Sequence, residues 1–319
     1  MTGIDRRDFL KASATAAIVA GTPVRAFAES KMMTAFPATH AVTMPAYVDH
    51  SHLVVRDLPM VSSWYQSIMG LKPIEKTASG DVLGVGGRPL LTLTTAGDAA
   101  RAPQNAPGLF HTAFLMPDRA ELGRWLAHIA HNNTPLQGAS DHLVSEAIYL
   151  ADPEGNGIEV YRDRPREDWS YVQDGMVKMA TLPLDLQKLY DEADKDAWRG
   201  MPDGAAIGHI HLQVSDIPQA DGFFRDVLGL DLMATYPGAS FFASGKYHHH
   251  IAANTWNSRG AAKRQANMTG LADYTVHFND PARLATAVAK LDELDIPTTR
   301  TGDIISLVDP WGIGLKLAV

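Results

Sequence analysis

The chain has 319 residues, 45% of them hydrophobic and 20% charged, with a net charge of −8. That length can bury a large core and suggests two domains, and an acidic balance without any long basic run argues against nucleic acid as a partner. There is no cysteine, which excludes disulfides, zinc–thiolate sites, iron–sulfur clusters and thiol nucleophiles and leaves His, Asp, Glu and water to hold any metal.

The segment DRRDFLKASATAAIVAGTPVRAFAES (5–30) places Arg6 and Arg7 ahead of Phe9, Leu10 and Lys11, then a modestly apolar run ending in Ala26-Phe27-Ala28. It resembles a twin-arginine export signal cleaved after Ala28, departing from the usual pattern only at Asp5, where Ser or Thr is common. The run is too short and too rich in Ala and Gly for a permanent membrane span. The resemblance implies that residues 1–28 are removed and that the folded chain works in the periplasm, with no membrane attachment afterwards.

Next comes a repeat. HSHLVVRDLPMVSSWYQSIMGLKPI (50–74) parallels HIHLQVSDIPQADGFFRDVLGLDLM (209–233). Each reads as an alternating strand, an Asp at an N-cap position (Asp57, Asp216), an amphipathic helix, and a Gly-Leu step into another strand. Residues 108–136 and 270–298 repeat the layout more weakly, and both lead to strands that close in related turns, DPEGNGIEVY from Asp152 and DPWGIGLKLA from Asp309. The expected fold is α+β, with four βαβββ units: two in residues 46–165, two in 207–319, and a linker over 166–206.

Duplicated βαβββ units opening on H-x-x-L-x-V-x-D-[LI] resemble the vicinal oxygen chelate superfamily, the glyoxalase, bleomycin-resistance and extradiol-dioxygenase fold. That resemblance implies paired units curled into half-open barrels, with metal ligands on the first and last strands of a unit. HLVSEAIYLADPEGNGIE (142–159) narrows it further. His142, Ile148, Tyr149, Asp152, Pro153, Gly155 and Glu159 fit H-x5-I-Y-x2-D-P-x-G-x3-E, the signature of type I extradiol ring-cleaving dioxygenases, with Ser140 as a minor departure. In that family the Glu is an iron ligand and the His and Tyr line the substrate pocket. The chain as a whole is similar to bacterial catechol-2,3-dioxygenase-like proteins through GASDHLVSEAIYL, GHIHLQV and YHHHIAANTW.

A non-haem Fe(II) oxygenase needs two neutral imidazoles and one carboxylate on one face of the metal, with the other face open. First-strand candidates are His50, His111 and His209; unit four offers Asp273 or Tyr274 there. The last-strand carboxylate is Glu159, whose counterpart in unit four is Gly314, so the site must use His111 and Glu159 of unit two. Its second histidine is His209 if units two and three pair, or His50 if units one and two pair. HHHIAAN (248–254) is similar to the strand that carries the acid–base histidine of extradiol enzymes, and the alignment puts His249 in that role. Pairing two with three unites His111, Glu159, His209, Tyr149, His142 and His249, and is the expected arrangement. The histidines at 248, 249 and 250 should alternate faces on a strand, leaving at least one pointing away. His52 and His211 read as structural, His128, His131 and His277 have no assigned role, and Trp256 and Phe242 are candidates for the pocket wall.

These resemblances imply a dioxygenase that uses Fe(II), or Mn(II) in its place, to cleave a catecholic substrate with O2, as a monomer or a homo-oligomer. Two rivals stand beside it. One is a metal-dependent lyase or isomerase of the glyoxalase type, disfavoured by the missing second last-strand carboxylate. The other is a non-catalytic exported protein that binds small aromatics.

Overall fold

The computed structural model describes residues 39–319 apart from 97, 173 and 194–197; the export signal expected over 1–28 lies outside the described residues. Unit one contributes β1 (Ala46–Val55), the helix Leu58–Ser67, β2 (Lys72–Lys76), β3 (Gly80–Val85) and β4 (Arg88–Thr95). Unit two contributes β5 (Gly108–Met116), the helix Arg119–His131, β6 (Gly138–Asp141), β7 (Ser145–Ala151) and β8 (Gly157–Asp163). The linker holds a two-residue β9 (Leu182–Pro183) and the short helix Leu186–Asp191. Unit three runs through β10 (Ala206–Gln213), the helix Ile217–Asp221 with a π-helical turn over Gly222–Val227, β11 (Asp231–Tyr236), β12 (Ala239–Ala243) and β13 (Ile251–Asn254). Unit four runs through β14 (Gly270–Phe278), the helix Pro281–Glu293, β15 (Thr298–Thr301), β16 (Ile304–Val308) and β17 (Gly314–Ala318).

The same local devices recur in every unit. Asp57, Asp118, Asp216 and Asp280 each cap the helix that follows, accepting from the amides of Met60, Glu121, Gln219 and Ala282, which satisfies donors that a helix N-terminus leaves free. The two Asp-Pro turns are built alike as well. One carboxylate oxygen of Asp152 accepts from the amides of Glu154 and Asn156, and one of Asp309 from those of Trp311 and Ile313.

The units assemble across the halves of the chain. One sheet has the order β15-β16-β17-β14-β1-β4-β3-β2 and joins units four and one; the other has the order β11-β12-β13-β10-β5-β8-β7-β6-β9 and joins units three and two. Both junctions are antiparallel pairs of first strands, β1 with β14 and β10 with β5. A shared apolar core runs through both sheets, with Leu53 and Tyr274 from one and Phe114 and Ile210 from the other. The linker is part of the second sheet, because β9 pairs with the edge strand β6. Covering an edge strand removes a row of unpaired backbone groups.

Candidate functional site

Three first- and last-strand side chains meet inside the sheet of units two and three. His111 on β5 and His209 on β10 lie diagonally across the antiparallel pair, since His209 is in register with Ala113 and His111 with His211. Glu159 on β8 is in register with that same Ala113 on the parallel side of β5. Glu159 Oε2 is 3.0 Å from His111 Nε2 and 3.2 Å from His209 Nε2, and the two Nε2 atoms are 3.3 Å apart. All three residues are buried: His209 is 1% exposed, Glu159 4% and His111 6%.

The backbone aims these groups. The ladder between β10 and β5 shifts register between Ile207 and His209, a bulge that re-points the side chain after it. Gly208 occupies the bulge, and a Cβ there would lie 1.8 Å from the Tyr161 hydroxyl, so no larger residue lets β10 approach β8. Gly157, two residues before Glu159, is equally constrained: its Cβ would meet the Phe110 carbonyl at 1.9 Å.

Burial by itself would raise the Glu159 pKa, but the facing His209 and hydrogen bonds from both histidines outweigh it and hold the carboxyl well below its usual range. Burial pushes His209 the other way, down to about 4, against the pull of Glu159. An anionic carboxylate and neutral imidazoles are the states in which each offers a lone pair to a cation. With three ligand atoms within 4.8 Å of one another, the donor set fits a divalent metal bound by two imidazoles and one carboxylate. His209 Nδ1 is buried with no hydrogen-bond partner among the described residues, so its ring is held by packing; the His249 ring lies against it at 4.0 Å between centroids.

His249 ends a hydrogen-bond chain whose polarity follows from its far end. The Asp163 carboxylate can only accept, so His248 Nε2, 2.8 Å away, carries a proton. When His248 carries a single proton, that proton is on Nε2, so Nδ1 accepts from His249 Nδ1, also 2.8 Å away, and His249 Nε2 keeps its lone pair. Burial, reinforced by the neighbouring His209 and His248, holds His249 well below the ordinary histidine pKa. Tyr247 donates to the same Asp163 and sits 2.9 Å from the Tyr161 hydroxyl. Of the triplet, His249 lines the cavity with the other site residues while His248 and His250 point to other partners, as expected of at least one of them. Residues 248–250 precede β13 and lie off the strand, and all three are buried. Each has its own partner: Asp163 for His248, His248 for His249, and the Ala41 carbonyl for His250.

On the opposite wall Tyr149 faces Glu159 across β7 and β8. Its hydroxyl is 2.6 Å from His142 Nε2, while His142 Nδ1 donates to the Ala180 carbonyl at 2.7 Å. With a single ring proton held on Nδ1 by that carbonyl, His142 presents Nε2 as an acceptor. Burial first, then the charge of Glu159, raises the Tyr149 pKa well above its usual value, so the phenol stays protonated.

His111, Glu159, His142, Tyr149 and His249 all line one cavity of about 1360 Å³, larger than the ~300–1,000 Å³ typical of small-molecule sites. Two of the residues expected to be elsewhere differ. His211, read as structural, lines this cavity with its ring 4.8 Å from that of His111. Asn254 Oδ1 accepts from the Trp256 amide, which turns Nδ2 toward His211 Nε2 at 2.9 Å; His211 Nδ1–H is thus left as a donor. The signal was its two-residue spacing from His209, which places both on one face of β10. Trp256 lines the cavity as expected, but Phe242 is buried in the core and Phe241 takes the wall position, since successive strand residues point to opposite faces.

The equivalent place in the other sheet is closed. Gly314 stands in register with Asp273 where Glu159 stands beside Ala113. Asp273 is tied to His52 at 2.8 Å and to Lys316 at 2.7 Å, so an ammonium sits where a metal would otherwise be needed. His50 there is 3.0 Å from Thr92 Oγ1.

Comparison with known proteins identifies the family and the fold. The sequence profile of the Glyoxalase/Bleomycin resistance protein/Dioxygenase superfamily matches residues 47–160 and 206–315. The chain is 40% identical over 234 residues to a catechol-2,3-dioxygenase of Bacillus subtilis (strain 168), covering 72% of this chain and 82% of that protein. Among solved structures it resembles a putative dioxygenase from Bacillus subtilis (TM-score 0.62, 13% identity, 85% of this chain and 84% of that one). It also resembles glyoxalase I from Zea mays (TM-score 0.53, 16% identity, 87% and 94%). At these identities the structural likenesses establish the fold.

Proposed function

Because this chain belongs to the Glyoxalase/Bleomycin resistance protein/Dioxygenase superfamily, we propose that it is an extradiol dioxygenase, opening a catechol-type ring beside the diol with O2. The observation that carries the reading is the buried His111–His209–Glu159 cluster opening onto a cavity that also holds His249, His142 and Tyr149. The 40% identical relative bears the name of the same activity.

His111, His209 and Glu159 would hold Fe(II), or Mn(II) in its place. When bound, the metal supplies Lewis acidity toward the two substrate oxygens and a binding position for O2. The protein's own groups do the rest. Tyr149 remains protonated, donates to His142 Nε2 and accepts a hydrogen bond from the diol at its oxygen, so that the pair can pass a substrate proton on to His142. His249 Nε2, with Nδ1 engaged by His248, is the base for the second diol proton and returns that proton to oxygen later in the cycle. The apolar walls of Phe110, Phe241 and Trp256 sandwich an aromatic ring and exclude water.

A test is anaerobic reconstitution with Fe(II), followed by O2 uptake on catechol and 4-methylcatechol with detection of the yellow ring-fission product. Stoichiometric O2 consumption with that product supports the reading. Isomerisation of a hemithioacetal without O2 uptake would assign the site to the glyoxalase type, and tight binding of catechols without turnover would make the protein a binder. We further propose that the mature chain acts in the periplasm after twin-arginine export.

A further inference from the structure

The cavity has a second polar end. Arg264 lies on the segment that leads from β13 to β14 and lines the cavity, yet it is only 8% exposed. Nη2 donates to the carbonyls of Met268 and Thr269 at 2.8 and 2.6 Å. Nη1 and Nε make no hydrogen bond among the described residues, and the acid that acts on the guanidinium, Asp309, does so only through space. A buried guanidinium without a carboxylate is costly unless something else satisfies it.

Two glycines border the space in front of it. A Cβ at Gly108 would lie 3.5 Å from Nη1. One at Gly270 would lie 3.9 Å from Nη1, 3.8 Å from Nη2 and 3.6 Å from the Asn156 amide oxygen. Both glycines begin first strands, β5 and β14. Gly108 lies three residues before His111 on β5, and Arg264, His111 and Glu159 all line the same cavity.

The charge balance favours an anion there. Besides the Glu159 cluster, the carboxylate on the cavity wall is Glu154, and it is already bound by the backbone amides of Arg56 and Asp57. Arg101 and Lys178 line the same cavity and add positive charge, which raises the local concentration of anionic ligands.

We propose that Arg264 is the specificity-determining residue of this cavity, binding the carboxylate of a catechol that carries a short carboxylated side chain. The assignment builds on the proposed dioxygenase site, but the guanidinium subsite can be read without any metal or turnover. Nη2 stays on its two carbonyls, and Nη1, the nitrogen nearest Gly108, donates a charge-assisted hydrogen bond to the carboxylate.

The experiment compares two probes of matched shape, 4-hydroxyphenylacetate and 4-ethylphenol, by calorimetry on the metal-free protein. The wild type should bind the carboxylate about 10- to 100-fold more tightly, the range expected for a charge-assisted hydrogen bond. Arg264→Met should lose that preference while still binding 4-ethylphenol, and Arg264→Lys should restore part of it. Retained binding of 4-ethylphenol shows that each variant is folded. Equal affinity for the two probes in the wild type, a preference that survives Arg264→Met, or no measurable binding of either probe at millimolar concentration overturns the proposal. A parallel measurement on the Fe(II)-loaded chain compares kcat/KM for 3,4-dihydroxyphenylacetate and 4-ethylcatechol. Turnover of 4-ethylcatechol without any carboxylate preference leaves the dioxygenase reading standing and removes this one. Arg264-dependent carboxylate binding without any catechol cleavage does the reverse.

Discussion

His111 and His209 come from opposite halves of the chain, yet their Nε2 atoms lie 3.3 Å apart. They meet because β5 and β10 pair as antiparallel first strands. The equivalent histidine of unit one, His50, belongs to the other sheet and is bound to Thr92.

That separation makes ligand identity testable. Glu159→Ala and His209→Ala should each remove most Fe(II) affinity, because each deletes one of three donors, while His50→Ala should retain about one iron per chain. Iron content after anaerobic loading and desalting is the measurement. Iron loss in His50→Ala with retention in His209→Ala would place the centre in the wrong sheet.

The chain Asp163–His248–His249 should act on turnover and leave metal alone. Asp163→Asn can donate to His248 Nε2, which reverses the direction of both hydrogen bonds and puts the His249 proton on Nε2 in place of Nδ1. We expect unchanged iron content and KM and a kcat lower by roughly 10- to 100-fold. Nitrogen chemical shifts of the histidine rings in the metal-free protein should report the changed tautomer directly. An unchanged tautomer with normal kcat would show that the chain only packs.

Acid should destabilise the metal-free protein from about pH 6.5 downward. Burial lowers the folded-state pKa of His50 to about 4, and of His250 to about 3. With folded values below unfolded ones, the unfolded chain takes up protons first. The stabilisation is complete above pH 6.5 and is lost as pH falls toward 4 and then 3. At 1.36 kcal/mol per unit, each such histidine costs about 2 kcal/mol by pH 5. Urea unfolding from pH 7.5 to 5 should show this slope, and His250→Gln should make it shallower. A pH-independent midpoint over that range would contradict it.

The export proposal rests on Arg6 and Arg7, since a receptor reads the pair. A chain with Arg6→Lys and Arg7→Lys should accumulate uncleaved in the cytoplasm, as judged by cell fractionation. Normal periplasmic delivery of that double variant would mean the signal was misread.

Much was legible from residue order alone, for physical reasons that are local. The Asp N-caps, the Asp-Pro turns and the strand alternation depend on neighbours a few residues away, so the four βαβββ units and the positions of His111, His209 and Glu159 on their strands followed from the sequence. The contrast of Glu159 with Gly314 also told which pair of units could supply a carboxylate. Long-range packing decided the rest. Whether unit two faces unit three or unit one depends on which first strands pair, and short-range pattern cannot distinguish β1 from β10 as a partner for β5. The histidine triplet looked like a strand, but Asp163 and the Ala41 carbonyl, distant in sequence, offered its members buried partners off the strand. His211 shares a strand face with His209, so its place on the cavity was open to the local pattern, whereas which of Phe241 and Phe242 faces the cavity was set by packing. Arg264 could not be singled out in the sequence at all: its open guanidinium depends on segments of different units, Gly108 and Gly270 among them, being packed beside it.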